Sequence, residues 1–144
     1  MPIPARVSII TLGVTDLERS KAFYEALGWE LASSSVDGVI YWFRTANTYI
    51  GLHAYEELAA DGHIPPGPRD GFGGVTLAIN LETDDAVVAA FDAALAAGAT
   101  ALKAPEEAIF GGLSAYFADP DGYPWEVAHN PHFPIGADGR ITIP

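Results

Sequence analysis

Residues 7–28 read VSIITLGVTDLERSKAFYEALG. The first eight are rich in β-branched side chains. Alternation sets Ile10, Leu12 and Val14 on one face and Ile9, Thr11 and Gly13 on the other, which predicts a strand. Thr15-Asp16-Leu17-Glu18 is a capping-box pattern, in which a side-chain oxygen and Glu18 satisfy amides orphaned at a helix start. Leu17, Tyr24 and Leu27, with Phe23 beside them, then recur at helical spacing. Gly28 stands where a left-handed C-terminal cap is wanted, so the helix stops there.

Downstream, Trp29 to Ser33 reads as a strand, Asp37-Gly38 as a tight turn, and Val39 to Arg44 and Tyr49 to Ala54 as two further strands. Residues 5–54 therefore form a βαβββ module. Residues 55–73 hold Gly62, Pro65, Pro66, Gly67, Pro68, Gly71 and Gly73, which cannot continue a ladder and predict a long crossover. The pattern then restarts. Gly74 to Asn80 reads as a strand, Thr83-Asp84-Asp85 as a helix entry, and Val87 to Ala97 as an alanine-rich helix ending at Gly98. Thr100 to Lys103, Leu113 to Phe117 and Pro124 to His129 complete a second module over 74–130, with turn chemistry at Ala118-Asp119-Pro120-Asp121-Gly122 and a tail over 131–144.

A four-stranded module with one helix exposes an apolar sheet face when alone. The expected fold is thus α+β: two tandem βαβββ modules in one domain, 1–144, forming a curved eight-stranded mixed sheet around a cavity with the helices outside. An ordinary α+β sandwich with an accidental repeat stays open beside it.

The composition fits one globular core, with 49% hydrophobic and 18% charged residues among 144. A net charge of −12, from 19 acids against 7 bases, repels phosphate backbones and anionic lipid, so neither nucleic acid nor a membrane surface is an expected partner. The absence of cysteine excludes disulfides and thiolate chemistry. No apolar run approaches the roughly 20 residues of a membrane span, and the N-terminus is unlike a secretory signal, so a cytoplasmic location is expected. There is no phosphate-binding loop, no G-x-S-x-G elbow and no His-Glu-x-x-His.

The stretch from Leu12 to Tyr24, ending at Leu27-Gly28, resembles the opening of the glyoxalase, bleomycin-resistance and extradiol-dioxygenase superfamily, the vicinal oxygen chelate proteins. Phe117-Ala118-Asp119-Pro120-Asp121-Gly122-Tyr123-Pro124-Trp125-Glu126-Val127 resembles its final hairpin. The resemblance implies four metal-ligand positions, usually His and Glu, which fall here on Ile9, Gly51, Gly74 and Glu126. Only Glu126 can bind a metal. It also implies a homodimer as the better expectation.

Strand parity puts Ile9, Thr11, Tyr49, Gly51, His53, Gly74, Thr76 and Glu126 on the face opposite the aliphatic one, as the expected cavity lining. His53 is either a hydrogen-bonded strand histidine or a polar anchor for a ligand. Glu126 is either a paired carboxylate or a ligand-binding or general-base group. These two are the candidate catalytic residues and the only candidate metal pair. No cofactor is expected, since a catalytic site wants about three protein ligands. Trp29, Trp42, Tyr49 and Tyr116 are candidate walls, while Phe72 and Phe110 are expected to pack beside their glycines. His63, His129 and His132 are expected at the surface. The leading expectation is a metal-independent binder of a small organic molecule, with a bias toward a cation from the overall charge. The alternative is a lyase, isomerase or dioxygenase-like enzyme built on His53 and Glu126.

Overall fold

A computed structural model describes residues 2–144. They fall into two compact units, Met1–Gly67 and Pro68–Pro144, and the division lies within the expected crossover.

In the first unit β1 (Ile9–Val14) runs parallel to β3 (Tyr49–Ala54), and β2 (Ile40–Arg44) pairs antiparallel with β3, giving the order β1-β3-β2. Helix α1 (Leu17–Ala26) packs against β2 and β3. Its N-cap is Asp16, which accepts from the Arg19 amide at 3.0 Å. Glu18 does not complete the capping box: its carboxylate accepts from Tyr41 instead. Gly28 takes the positive φ, 87°, that ends the helix. Leu12, Val14, Phe23, Tyr24, Phe43 and Leu52 are all buried, each contributing about 1.5–3 kcal/mol if fully removed from water. Tyr24 sits centrally, its ring 4.9 Å from Phe23, 5.3 Å from Trp29 and 5.8 Å from Phe43.

Two expectations fail in this unit. Trp29 to Ser33 is not a strand but a single bridge, Leu31 to Phe43. A turn at Ala32–Ser35 cuts the ladder, and the Ser35 hydroxyl accepts the Trp42 amide at 3.0 Å in place of a strand carbonyl. The crossover is also not wholly irregular, because Tyr55–Asp61 forms a short helix, α2. These seven residues contain neither glycine nor proline, and the breakers begin only at Gly62. Gly13 permits α2 to lie close, since a β-carbon there would come within 2.9 Å of the Tyr55 ring.

In the second unit the order is β4-β7-β6-β5, from β4 (Leu77–Asn80), β5 (Thr100–Glu107), β6 (Leu113–Ala118) and β7 (Pro124–His129). Helix α3 (Asp84–Ala96) is capped by Thr83, whose hydroxyl accepts from the Ala86 amide at 3.0 Å. It buries Val87, Phe91 and Ala94, one stripe at helical spacing, in contact with β5, β6 and β7. Facing residues Ala115, Phe117, Trp125 and Val127 are buried as well. Strand β5 outruns its expected four residues and carries Pro105, which an edge strand tolerates. Strand β4 is shorter than expected. Gly74 has φ 88°, which breaks the extended run, so Gly74 and Thr76 lie ahead of the ladder rather than in it.

The fold is thus α+β, with two mixed sheets of three and four strands among the described residues, not one eight-stranded sheet. No helix is long and apolar enough to cross a membrane among those residues.

Candidate functional site

In the first unit the face of the sheet opposite α1 gathers most of the expected lining. Register pairs Ile9 with Tyr49, Thr11 with Gly51 and Gly13 with His53, while Trp42 lies opposite Gly51 and Arg44 opposite Tyr49. Parity therefore puts Ile9, Thr11, Tyr49, Gly51, His53, Trp42 and Arg44 on one face.

A cavity of about 280 Å³ opens there, between Ile9, Trp42, Arg44 and Tyr49 on the strands and Ala32, Ser33 and Ser34 on the turn beside them. Arg44 donates from Nη1 to the Tyr49 hydroxyl at 2.8 Å, and its guanidinium lies 5.5 Å from the centre of that ring. Its Nε is 3.8 Å from Glu30. Ala32, Ser33, Ser34 and Arg44 escaped the sequence reading. The serines lie on a turn with no periodicity, whereas Arg44 shares the parity of Trp42 and was within reach of the alternation rule.

Gly51 is buried, and the space beside it is taken. A β-carbon at this position would stand 3.0 Å from Thr11 Oγ1, 3.3 Å from Trp42 Cδ1 and 3.5 Å from Ile9 Cγ2. A metal-binding side chain here would crowd these neighbours, which would have to give way to admit it. His53 lies outside the cavity lining, and its Nδ1 is 3.0 Å from the Val39 carbonyl oxygen.

In the second unit Glu126 lies opposite Ala78 on β4 and Tyr116 on β6. The Ser114 hydroxyl donates to Glu126 Oε2 at 2.8 Å, and Lys103 Nζ donates to Ser114 Oγ at 3.2 Å. The lysine also stands 5.0 Å from the centre of the Tyr116 ring. Burial, followed by the charge and hydrogen bonding of Glu126, raises the Tyr116 pKa above its ordinary value. Ser114 is 3% exposed, so the chain from Lys103 through Ser114 to Glu126 runs through an almost water-free hydroxyl. Parity could have found Ser114 and Tyr116, two residues apart on the strand opposite Glu126.

The other expected residues scatter. Gly74 and Thr76 are exposed. Of the four candidate walls, Trp42 and Tyr49 line the cavity, Tyr116 joins the Glu126 cluster, and Trp29 stacks on Tyr24. Phe72 is 73% exposed, contrary to the expectation of packing, while Phe110 is half-buried. His63 and His132 are exposed, and half-buried His129 pairs through Nδ1 with Asp84 at 2.7 Å.

Of Ile9, Gly51, Gly74 and Glu126, only Glu126 supplies a donor. Among the described residues no three histidine, aspartate or glutamate side chains come together as a metal set. The residues present do not fit the metal centre that the resemblance implies.

Residues 6–127 match the model of the Glyoxalase/Bleomycin resistance protein/Dioxygenase superfamily. Among solved structures, the chain is similar to a glyoxalase-related enzyme from Fulvimarina pelagi, with 34% identity, a TM-score of 0.87 and coverage of 97% of this chain and 99% of that one. It is also similar to a glyoxalase/bleomycin resistance protein/dioxygenase family enzyme from Burkholderia phytofirmans PsJN, with 26% identity, a TM-score of 0.76 and coverage of 88% and 99%. A lactoylglutathione lyase from Agrobacterium tumefaciens shares the fold at 20% identity and a TM-score of 0.66, with coverage of 89% and 96%. No curated protein matches the chain.

Proposed function

Because the chain belongs to the Glyoxalase/Bleomycin resistance protein/Dioxygenase superfamily yet keeps a donor at one ligand position of four, we propose that it binds a small organic molecule without a metal ion. The observation that carries this reading is the cavity on the face of the first sheet opposite α1. Apolar and aromatic walls, here Ile9, Trp42 and Tyr49, supply contact area, and a few polar groups, here Arg44 and the serines, fix orientation. Gly51 lets the indole of Trp42, Thr11 and Ile9 close together where a ligand side chain would stand. Metal independence draws on that crowding and on the sparse donor set.

The test is the metal content of untagged protein by plasma mass spectrometry, before and after incubation with Mn²⁺, Fe²⁺, Ni²⁺ and Zn²⁺, for the unaltered chain and Glu126→Ala. Substoichiometric metal throughout is the expected result. Stoichiometric metal that disappears in Glu126→Ala overturns the proposal and makes His53 the next residue to replace.

A second reading, acid/base chemistry at Glu126, is favoured by the Lys103–Ser114–Glu126 chain and the adjacent Tyr116. A carboxylate can accept a proton from a carbon next to a carbonyl, the bonding pair passing into that carbonyl as an enolate, while Ser114, held by Lys103, orients the carboxylate. Its signature is Glu126-dependent exchange of substrate hydrogen for deuterium in D₂O. We also propose a homodimer. The exposed apolar side chains Phe72, Val75 and Ile109 support an interface, and light scattering at twice 15.2 kDa is the expected outcome.

A further inference from the structure

We propose that the ligand of the first-unit cavity carries a carboxylate or a comparable planar anion, bound by Arg44, with an apolar ring or chain against Trp42. This rests on the reading of that cavity as the binding site. Arg44 is the only ionised side chain among the residues that line it. A guanidinium offers five donors in one plane and matches a carboxylate two bonds at a time.

Tyr49 holds the fork in place, its hydroxyl accepting one N–H at 2.8 Å and its ring centre lying 5.5 Å from the guanidinium. The remaining partner, Glu30, is loosely held. Its carboxylate is 3.8 Å from Nε, with the two side chains 51% and 74% exposed, so water competes for both. A ligand carboxylate in the cavity meets the same guanidinium on the side lined by Ser33 and Ser34, without displacing the bond to Tyr49.

Size and field narrow the class further. The cavity of about 280 Å³ lies just below the usual lower bound for ligand sites of about 300 Å³, which selects a molecule smaller than a typical drug. The net charge of −12 biases long-range encounter toward cations. Salt confines that field to a screening length of about 8 Å, so the sign preferred inside the cavity is set by Arg44. The ligand charge inferred from the site is thus opposite to the one inferred from composition.

The experiment compares benzoate, benzamide and protonated benzylamine, which share a ring and differ in charge. Each is titrated into the ¹⁵N-labelled full chain in chelator-treated buffer and followed by the amide signals of Ile9, Ser33, Ser34, Trp42 and Tyr49. Benzoate is expected to move these signals and to bind at least tenfold more tightly than benzamide, with benzylamine weakest. Arg44→Gln is expected to bring benzoate down to the level of benzamide. Benzamide or benzylamine moving the same signals with equal or tighter binding overturns the anion inference and leaves the cavity standing as a binding site. Silence at these amides toward all three overturns the cavity reading and the inference together. If Arg44→Gln fails to fold, the order of the three probes on the unaltered chain decides the matter.

Discussion

The hydroxyl of Ser114 donates to Glu126 and accepts from Lys103, and it is nearly inaccessible to water. Ser114→Ala strips a bond from a half-buried carboxylate and another from a lysine, and is expected to cost about 1–3 kcal/mol. A lower urea midpoint with an unchanged slope is the measurement that checks it. Tyr41 gives a different test. Its hydroxyl bonds to Glu18, and this contact, reinforced by burial and by Asp37 and opposed by the Gly38 amide, pushes its pKa up to about 12. Below pH 10 the folded and unfolded chains both keep the proton. Between 10 and 12 the unfolded chain loses it first, so stability falls with rising pH across that window, and Tyr41→Phe removes this slope. Phenolate absorbance should show one fewer late-titrating group in the variant. At this scale the resemblance singled out Glu126, and alternation set Tyr49 on the face of Gly51 and Trp42 on the face opposite Tyr41 and Phe43, as the register has them. The sequence did not disclose what Glu126 touches, because partners on neighbouring strands are set by register, which no single strand encodes.

Among the elements, β3 and β7 have the bounds expected from the sequence; breakers flank β7 on both sides, whereas β3 ends where α2 begins. Helix α2 was obscured by the glycines and prolines immediately after it, and the supposed strand at Trp29 by a serine hydroxyl that replaces a ladder bond. Caps were readable as a class but not to the residue. Asp16→Ala is expected to lower stability by about 1 kcal/mol, and Thr15→Ala by less, because Asp16 accepts the helix amide as the N-cap while the Thr15 hydroxyl accepts an exposed arginine N–H. Chemical denaturation of the two variants distinguishes them. Gly112→Ala should be far worse. A β-carbon there would lie 1.7 Å from the His129 carbonyl oxygen, so β7 must shift or the loop must open, at about 3 kcal/mol or more. Its folded yield and melting temperature are the readouts.

For the whole molecule, the tandem pattern predicts one domain of two modules on an eight-stranded sheet, whereas the described strands form sheets of three and four. Each unit has its own helix on its own sheet, and all residues from 60 to 76 are exposed. Limited chymotrypsin digestion is therefore expected to cut first after Phe72, yielding two fragments of nearly equal length before either is degraded. A first cut within β3 or β6 would contradict this order of stability. The overall charge was readable from composition, whereas the sign at the cavity depends on a single arginine placed by strand parity.

The packing around Gly51 also imposes an order on mutation. A glutamate introduced there alone enters space already held by Thr11, Trp42 and Ile9, and damages the fold before any ion could reward it. Moving or trimming Thr11 or Trp42 relieves that crowding, and for Trp42 the step removes an aromatic wall of the cavity. The glycine thus ties two properties together: a metal donor gained at this position comes with side chains moved out of the proposed binding cavity.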